Sequence, residues 1–238
     1  MGSLFLSIVM AFTAAGEVAE RAPRCEPGSI APMRSDLLAY AAVVRSSAAA
    51  YREPGRRPIE SFRALNVNGH ATVFGVLGAV RGADCEASWY RVQLPVRPNG
   101  IVGYVPAADV EVIPVRTRIV VDLSDRTVAL FAAGRKVLET PTAVGAPATP
   151  TPVGSFYVNQ RLRASDPSGP WGPGGVGISA FSDVLTDWVQ GGPVAIHGTN
   201  RPGTIGRAAS NGCLRVRNDV LARIFALAVP GTPVEIRA

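Results

Sequence analysis

The scarcest reactive side chains of the chain meet in one segment, HGTNRPGTIGRAASNGCLRV, which runs from His197 to Val216. The sequence has two histidines and three cysteines, and His197 and Cys213 each lie beside a glycine in this segment. A thiol is a strong nucleophile only as a thiolate, and a nearby histidine can take its proton and later deliver it to a leaving group. The pair is therefore a candidate for acyl transfer, with Cys213 as nucleophile and His197 as base.

The residues next to the pair have the types that such chemistry needs. Gly212 lets the backbone turn sharply, so that the N–H groups of Gly212 and Cys213 can bind a developing oxyanion. The segment contains no Asp or Glu, so a backbone carbonyl of Gly198 or Thr199 is the expected acceptor that orients the imidazole. Residue types alone leave a structural histidine and a core cysteine as an open alternative. A structural zinc site is not expected, because one His and one Cys fall short of four ligands.

Short predicted elements hold both residues in place. The apolar run GPVAIHG predicts a strand that ends at His197, and CLRV predicts a strand that begins at Cys213. The next run, RNDVLARIFALAV, has helical spacing and predicts a helix capped by Asn218. Pro230-Gly231 ends this helix, and TPVEIR predicts a closing strand. The apolar face of the helix comprises Val220, Leu221, Ile224, Phe225 and Ala228.

The residues upstream predict a β-meander and two irregular loops. The runs TRIVVDL, TVALFAAG and KVLETPTAVG predict three strands, with a turn at Ser124-Asp125. Prolines in APATPTPVGSFYVN forbid regular structure until Gly154, where a strand resumes. The Gly- and Pro-rich stretch ASDPSGPWGPGGVGI predicts a loop long enough to form a flap over an active site. Residues 115–238 are therefore predicted to form a mostly β domain with one packed C-terminal helix.

A separate strand-rich unit is predicted over residues 38–114. The run WYRVQL alternates apolar and polar residues, as a half-buried strand does. Asn99-Gly100 then predicts a tight hairpin, with IVGYV as the returning strand. No long helical pattern interrupts these runs, so the unit is predicted to be a small β-barrel.

The residues before this unit are predicted to be a signal peptide and a linker. The apolar stretch LFLSIVMAFTAA is too short to cross a bilayer and predicts a signal peptide over residues 1–16, with a buried N-terminal helix as the alternative. Residues 17–37 are polar and contain prolines, which predicts a linker. In an exported protein, Cys25 and Cys85 are the expected disulfide pair, which leaves Cys213 reduced.

The opening segment as a whole carries a more specific pattern than its reactive pair. AIHGTN…GRAASNGCLRV resembles the active-site signature of the L,D-transpeptidases of the YkuD-like family, in which His-Gly is followed by some fifteen residues and then Ser-x-Gly-Cys, an apolar residue and Arg. TPTPVGSF is similar to the upstream Thr-Pro-x-Gly-x-Phe segment of that family. The resemblance covers about residues 116–238. Asn211 departs from the pattern, since the family often has His, Arg or Lys there. In the first unit, WYRV…NGIVGYVPAADV resembles bacterial SH3-like domains of wall-associated proteins.

The family resemblance implies a specific reaction that needs neither a metal nor a cofactor. Cys213 would attack the carbonyl at the L-centre of a diamino acid in a peptidoglycan stem tetrapeptide, and His197 would protonate the departing D-alanine. The amine of a neighbouring stem would then resolve the thioester into a 3→3 cross-link, and a carbapenem would acylate the same thiol. With water as acceptor, the enzyme would be an L,D-carboxypeptidase. A non-catalytic wall-binding protein is the alternative from a different class.

Further residues are expected to complete the site. Ser210 is expected to hydrogen-bond near the pair, and Gly198 is expected to support His197. Arg215 is expected either to bind a substrate carboxylate or to form a structural ion pair. Tyr157 is more typical of a core residue than of a groove, and His70 is typical of a surface or packing residue. The other expected substrate contacts are Trp171, Asn211 and Thr199.

Composition bounds the class and the partners of the chain. With 47% hydrophobic and 18% charged residues, the chain can bury real cores and is not a disordered protein. Its net charge of +6 comes almost wholly from arginine, which favours anionic surroundings such as wall polymers or lipid head groups. Nucleic acid is not an expected partner, because no basic helix or basic–aromatic cluster accompanies the charge. With the family resemblance, we expect export to the cell envelope, peptidoglycan stem peptides as partners, and an SH3-like unit that can bind the wall.

Overall fold

A computed structural model describes residues 25–238. The signal-peptide prediction for residues 1–16 and the first part of the predicted linker lie outside the described residues. Strands dominate the described part, which has one α-helix, α1 (Asn218–Leu227), and short 3₁₀ helices at Ala107–Asp109, Val189–Gly191 and Pro202–Thr204. The strands are β1 (Ile30–Pro32), β2 (Ala39–Val44), β3 (Ser47–Tyr51), β4 (Pro58–Arg63), β5 (Val73–Arg81), β6 (Ala87–Gln93), β7 (Val102–Pro106), β8 (Val110–Val115), β9 (Thr117–Asp122), β10 (Thr127–Ala132), β11 (Arg135–Pro141), β12 (Val144–Gly145), β13 (Gly154–Arg163), β14 (Gly174–Phe181), β15 (Pro193–His197), β16 (Ala208–Ser210), β17 (Leu214–Arg215) and β18 (Pro233–Arg237).

The first eight strands form one sheet with the order β4-β3-β7-β6-β5-β2-β8, and β1 pairs with one end of β5. Val92 of β6 is buried in a core with Phe74 and Val105, but the predicted alternation is not kept, because Gln93 is buried as well, against the second sheet. The linker prediction is wrong for Ile30–Pro32, which is strand β1. A three-residue strand at the margin of a sheet needs no long apolar run, and its proline stands at the strand end, where proline is tolerated.

The connection between β6 and β7 differs from the predicted tight hairpin. It spans residues 94–101, and of the predicted turn pair only Gly100 has a positive φ, +86°. Asn99 uses its side chain on the second sheet instead, where Nδ2 donates to Phe181 O at 2.7 Å and Oδ1 accepts from Phe181 N–H at 2.9 Å. Hydrogen bonds to the neighbouring sheet, rather than local turn chemistry, therefore set the shape of this loop.

The second sheet carries the segments around the reactive pair. Its order is β11-β10-β9-β18-β13-β14-β15-β17, and β12 pairs with β16 beside it. The predicted meander is confirmed in β9, β10 and β11, and the irregular stretch before Gly154 is confirmed between β12 and β13. The predicted helix is confirmed as α1, whose Leu221 and Ile224 are buried in the core beneath β14 and β15, with Ala228 just after it. The prediction of a mostly β fold with one packed helix is therefore confirmed.

The two sheets meet along β5 and β13. Tyr157 of β13 is fully buried, and a Cβ added to Gly75 of β5 would lie 3.0 Å from its ring, so glycine lets the two strands approach closely. Across the same boundary, Gln93 Nε2 donates to Ser155 O at 2.8 Å. Tyr157 is therefore a core residue between the sheets, the more typical of its two predicted roles.

Arg97 fastens the connection between β14 and β15 to the first sheet. Its Nη2 donates to Ser182 O at 2.5 Å, its Nε donates to Gly191 O at 3.2 Å, and its guanidinium lies 5.4 Å from the centre of the Phe181 ring. The two carbonyls stand near opposite ends of residues 182–192. The first sheet thus holds the segment that leads into β15.

The disulfide prediction is confirmed. Cys25 and Cys85 are bonded, with their Cα atoms 5.8 Å apart, which ties the beginning of the described chain to the connection between β5 and β6. Cys213 is the free cysteine of residues 25–238. A membrane-spanning helix is absent from that part of the chain, since none of its helices is long and apolar enough.

Candidate active site

His197 is the last residue of β15, and its ring orientation is fixed by its own backbone. Its side chain is buried, and its carbonyl accepts from Val216 N–H at 3.0 Å, next to the parallel pairing of β15 with β17. Nδ1 lies 2.6 Å from Gly198 O, one of the two acceptors that the sequence analysis expected. A carbonyl can only accept, so Nδ1 carries the proton and Nε2 keeps its lone pair. The imidazole is therefore held in the tautomer that a base requires.

The turn after His197 needs glycine at position 198. A Cβ there would lie 2.4 Å from Asn218 Oδ1 and 2.9 Å from Pro173 Cδ, closer than real contacts allow. Asn218 is the first residue of α1, yet its side chain does not cap that helix. Its Oδ1 accepts from Thr199 N–H at 2.8 Å instead. The cap prediction is therefore wrong, and Asn218 connects the helix to the histidine turn.

Trp171 covers the imidazole from the loop between β13 and β14. Its ring stacks on His197 with centroids 4.4 Å apart and planes 23° from parallel. Gly175 makes room for this stack, because a Cβ there would lie 3.0 Å from His197 Cβ and 3.1 Å from Trp171 Cζ3. The indole is 40% exposed, so it shields one face of the imidazole and still offers surface to a ligand. The predicted flap loop therefore contacts the base directly.

Ser210 organises the turn that presents Cys213. Its Oγ donates to Cys213 O at 2.5 Å and accepts from Gly212 N–H at 3.2 Å. Gly212 adopts a φ of +104°, a conformation that side chains disfavour. The Gly212 N–H is thus already used within the turn, which corrects the expectation that it faces an oxyanion. The Cys213 N–H is the remaining candidate of the two.

Two threonines hold this turn from the segment that precedes β13. Thr149 Oγ1 donates to Ser210 O at 3.1 Å, and Thr151 Oγ1 donates to Gly212 O at 2.9 Å. Thr151 Oγ1 also accepts from Gly145 N–H at 2.9 Å. The segment TPTPVGSF resembles a family motif, but the pattern alone does not indicate that its threonines bind the thiol turn. The feature that could have indicated this role is the position of both hydroxyl groups in a proline-rich segment that cannot form regular structure.

Valine has nearly the size of threonine but no hydroxyl group. Replacing Thr151 by valine is expected to destabilise the protein by about 1–2 kcal/mol, because Gly212 O and Gly145 N–H would both lose their hydrogen-bond partner. The midpoint of thermal unfolding measures this loss. Thr151→Ser retains the hydroxyl and is the matched control. Equal unfolding midpoints for the valine and serine variants would show that the two hydrogen bonds of the Thr151 hydroxyl do not stabilise the protein.

Burial favours the uncharged forms of both the thiol and the imidazole. Burial raises the pKa of Cys213, although the N–H of Ala195 and the charge of Arg215 oppose this effect. Burial lowers the pKa of His197 to about 4, against the hydrogen bond to Gly198 and together with the charge of Arg215. The expectation that an imidazolium would lower the pKa of the thiol is therefore corrected.

The sulfur lies against the beginning of β15. Cys213 Sγ is 4.0 Å from Pro193 O, and the Ala195 N–H is directed at the sulfur. Hydrogen bonds within residues 25–238 do not include one between this thiol and the His197 ring. In the absence of substrate, catalytic hydrogen bonds are often long or unformed. The thiol thus lies directly before β17, beside the strand that ends at His197.

Arg215 brings a positive charge to the site without a carboxylate partner. Its Nη1 donates to Ala209 O at 3.3 Å, and its buried Nε has no hydrogen-bond partner among the described residues. It takes part in none of the ion pairs formed within residues 25–238. The alternative of a structural ion pair therefore has no support, and the guanidinium is available to an anionic group of a ligand.

The remaining predicted site residues differ in their access to a ligand. Thr199 is buried, its N–H is bound by Asn218, and its Oγ1 accepts from Arg201 N–H at 3.0 Å, so its polar groups serve its own loop. Asn211 is exposed beside the thiol turn and is free to meet a ligand. His70 is exposed in the first sheet's β4–β5 connection, as the sequence predicts.

Residues 116–236 match the model of the YkuD family, the L,D-transpeptidase catalytic domain. This chain belongs to that family. YkuD of Bacillus licheniformis, named as an L,D-transpeptidase, is 37% identical over 119 residues, which are 50% of this chain and 64% of that protein. YkuD of Bacillus subtilis strain 168 is 36% identical over 118 residues, with the same two shares. L,D-transpeptidase 3 from Mycobacterium tuberculosis is 15% identical with a TM-score of 0.44, over 70% of this chain and 92% of that one.

The YkuD match begins one residue before β9 and ends at the penultimate residue of β18, so it contains nearly all of the second sheet and both His197 and Cys213. The first sheet lies outside it. The matched part of the chain spans somewhat less than two-thirds of the length of the two Bacillus relatives. The YkuD domain thus consists of the second sheet and α1. The first sheet lies outside that domain and packs against it through the contact of β5 with β13.

Proposed function

We propose that this chain is a cysteine-dependent L,D-transpeptidase that acts on peptidoglycan stem tetrapeptides through a thioester on Cys213. The observation that carries the proposal is the fixed tautomer of His197, with Nδ1–H bound to Gly198 O at 2.6 Å and Nε2 left as a base. The strand that ends at this base pairs in parallel with the strand that begins directly after the thiol. Membership of the YkuD family supports the choice of reaction.

The reaction begins from the neutral pair. As Cys213 Sγ bonds to the carbonyl carbon of the third stem residue, its proton passes to His197 Nε2, and the Cys213 N–H stabilises the developing oxyanion. The C–N bond to the terminal D-alanine then breaks, and the imidazolium returns the proton to the departing amine. The amine of a neighbouring stem attacks the thioester and gives a 3→3 cross-link. Its proton passes through His197 to the sulfur, which leaves as the thiol.

The surroundings of the pair match the substrate in charge and shape. Arg215 is free to bind a carboxylate of the stem, and Trp171 and Asn211 present exposed surface beside His197 and the thiol. We also propose that the protein works outside the cytoplasm, where its substrate lies, and that the first sheet is an SH3-like unit that places the enzyme on the wall. The disulfide between the sheet's first residues and its β5–β6 connection is consistent with an oxidising compartment.

Product analysis tests the proposal. The full chain is incubated with a stem tetrapeptide and an excess of acceptor amine, and the products are separated by mass; we expect cross-linked product and released D-alanine. Cys213→Ala is the control that must form neither, and it must also lose the mass adduct of a carbapenem. Tripeptide alone, even with excess acceptor, would identify a carboxypeptidase. If the folded wild-type protein formed no carbapenem adduct, the proposal of an enzyme would be overturned in favour of a wall-binding protein.

A further inference from the structure

A cleft of about 500 Å³ lies between the two sheets, and neither His197 nor Cys213 lines it. One wall comes from β4 and the β4–β5 connection of the first sheet. The other comes from β13 and from residues 181–193, the segment that Arg97 fastens to the first sheet. The volume is in the range of small-molecule binding sites. Both domains are therefore needed to form this cleft.

Apolar side chains and side-chain amides make up most of the cleft lining. Two aromatic rings, Phe62 and Phe181, lie among its walls, and Arg63 is the one charged residue that lines it. Side-chain amides both donate and accept hydrogen bonds, as do the hydroxyl and acetamido groups of an amino sugar. An ammonium group would find no carboxylate among the lining residues, and the many amides favour a ligand that exchanges neutral hydrogen bonds. The amides that line the cleft are Asn66, Asn68, Asn159, Gln160 and Gln190.

Hydrogen bonds between side-chain amides join the two walls of the cleft. The hydroxyl and acetamido groups of a sugar could form the same hydrogen bonds with these amides. Asn66 and Asn68 each donate from Nδ2 to Gln160 Oε1 at 3.1 Å. Gln190 Nε2 donates to Asn68 Oδ1 at 2.9 Å across the exposed part of the cleft. Beside Asn68, the side chain of Val67 is 83% exposed and adds apolar surface to the rim of the cleft. An acetamido methyl group suits such an apolar rim.

One residue of the cleft wall lies next to the thiol. Pro193 lines the cleft, and its carbonyl oxygen is 4.0 Å from Cys213 Sγ. Pro193 also begins β15, the strand that ends at the base His197. A stem peptide that leaves a sugar in the cleft reaches its third residue after two intervening residues, which span about 7 Å when extended. Pro193 therefore connects the cleft wall to the strand that ends at His197.

We propose that this cleft binds the uncharged N-acetylated glycan to which the stem peptide is attached. The cleft would then bind the glycan while the reactive pair binds the stem peptide of the same polymer. The inference rests on the proposed function for the identity of the stem, and it adds a subsite with a ligand class of its own. Its consequence is a preference for glycan-linked tetrapeptide over the free tetrapeptide. The preference arises from Asn68 and its neighbours, outside the catalytic machinery.

The first measurement is direct binding of chitotetraose, the neutral tetramer of N-acetylglucosamine, to the full chain carrying Cys213→Ala. We expect saturable binding that Asn68→Ala weakens at least about fivefold, as loss of a neutral hydrogen bond predicts. His70→Ala is the matched control, because His70 is exposed in the same connection and does not line the cleft. Absence of binding, or equal weakening by both substitutions, would overturn the proposal. Competition by the free tetrapeptide would assign the cleft to peptide and overturn it as well.

The second measurement compares turnover of two substrates, a disaccharide tetrapeptide and the free tetrapeptide. We expect the wild-type kcat/KM to favour the disaccharide substrate, and Asn68→Ala to reduce that ratio towards one without changing kcat/KM for the free tetrapeptide. An unchanged ratio would refute the subsite. Lack of turnover of both substrates, with chitotetraose still bound in an Asn68-dependent way, would instead refute the transpeptidase proposal alone.

Discussion

Replacing His197 by glutamine is expected to lower the rate constant for acylation of Cys213 at pH 7 by about 10³-fold, within the range that one acid–base group contributes. Glutamine can still donate to Gly198 O, but it cannot accept the proton of the thiol. Because burial raises the pKa of Cys213, little thiolate forms without a base. Time-resolved mass spectrometry of the carbapenem adduct measures this step separately from acceptor transfer.

The pH profile distinguishes loss of a base from a general disturbance of the site. In the wild type, the acylation rate is expected to be nearly constant from about pH 5 to 8 and to fall near pH 4, where His197, with its pKa lowered to about 4, becomes protonated. In the glutamine variant only the thiolate reacts, so the rate should rise about tenfold per pH unit until the thiol ionises. A flat profile in the variant would contradict the role of His197 as base.

The charge state of the resting pair is a further observable of the same variant. The ultraviolet absorbance of a thiolate, taken as the difference between the wild type and Cys213→Ala, is expected to be absent at pH 7. The difference should remain absent when His197 is glutamine. A wild-type thiolate signal that disappears in the glutamine variant would establish an ion pair and overturn the neutral resting state.

Local sequence patterns were sufficient to locate the reactive residues. A strand that ends at His197 and a strand directly after Cys213 follow from short apolar runs bounded by glycine, and the structure contains both. The pattern did not predict that β15 and β17 pair in parallel, with Ile196 opposite Leu214. Pairing depends on where the intervening sixteen residues return, which a local pattern does not encode.

Polar side chains with distant partners could not be predicted in this way. Asn99 has the local pattern of a turn residue and Asn218 that of a helix cap, yet both bind the main chain of other segments. Ser210 takes the Gly212 N–H that the sequence assigned to an oxyanion. Each of these bonds contributes only about 1 kcal/mol, so several partners compete and tertiary placement decides. The neutral state of the catalytic pair likewise follows from burial, a property of the whole fold.

Replacing Arg215 by glutamine is expected to raise KM for a stem tetrapeptide about 10- to 100-fold and to leave kcat within about threefold, the effect of removing one hydrogen bond between charged groups. The fold should tolerate the change, because strand pairing here uses the main chain. Arg215 N–H donates to Ala143 O at 3.1 Å, and Arg215 O accepts from Thr142 Oγ1 at 2.9 Å. Lysine at this position retains the positive charge but lacks the planar guanidinium that can donate two hydrogen bonds to one carboxylate, so it should give an intermediate KM.

Amidated substrates identify the carboxylate and exclude a purely structural effect. One tetrapeptide is amidated at its C-terminal D-alanine, and a second at the free carboxyl group of the diamino acid. With the substrate that lacks the partner of Arg215, the wild type should show the high KM of the glutamine variant, and the two proteins should then differ little. The other amidated substrate should preserve the 10- to 100-fold difference. If the glutamine variant raised KM by the same factor for all three substrates, Arg215 would act on the shape of the site rather than on a substrate charge.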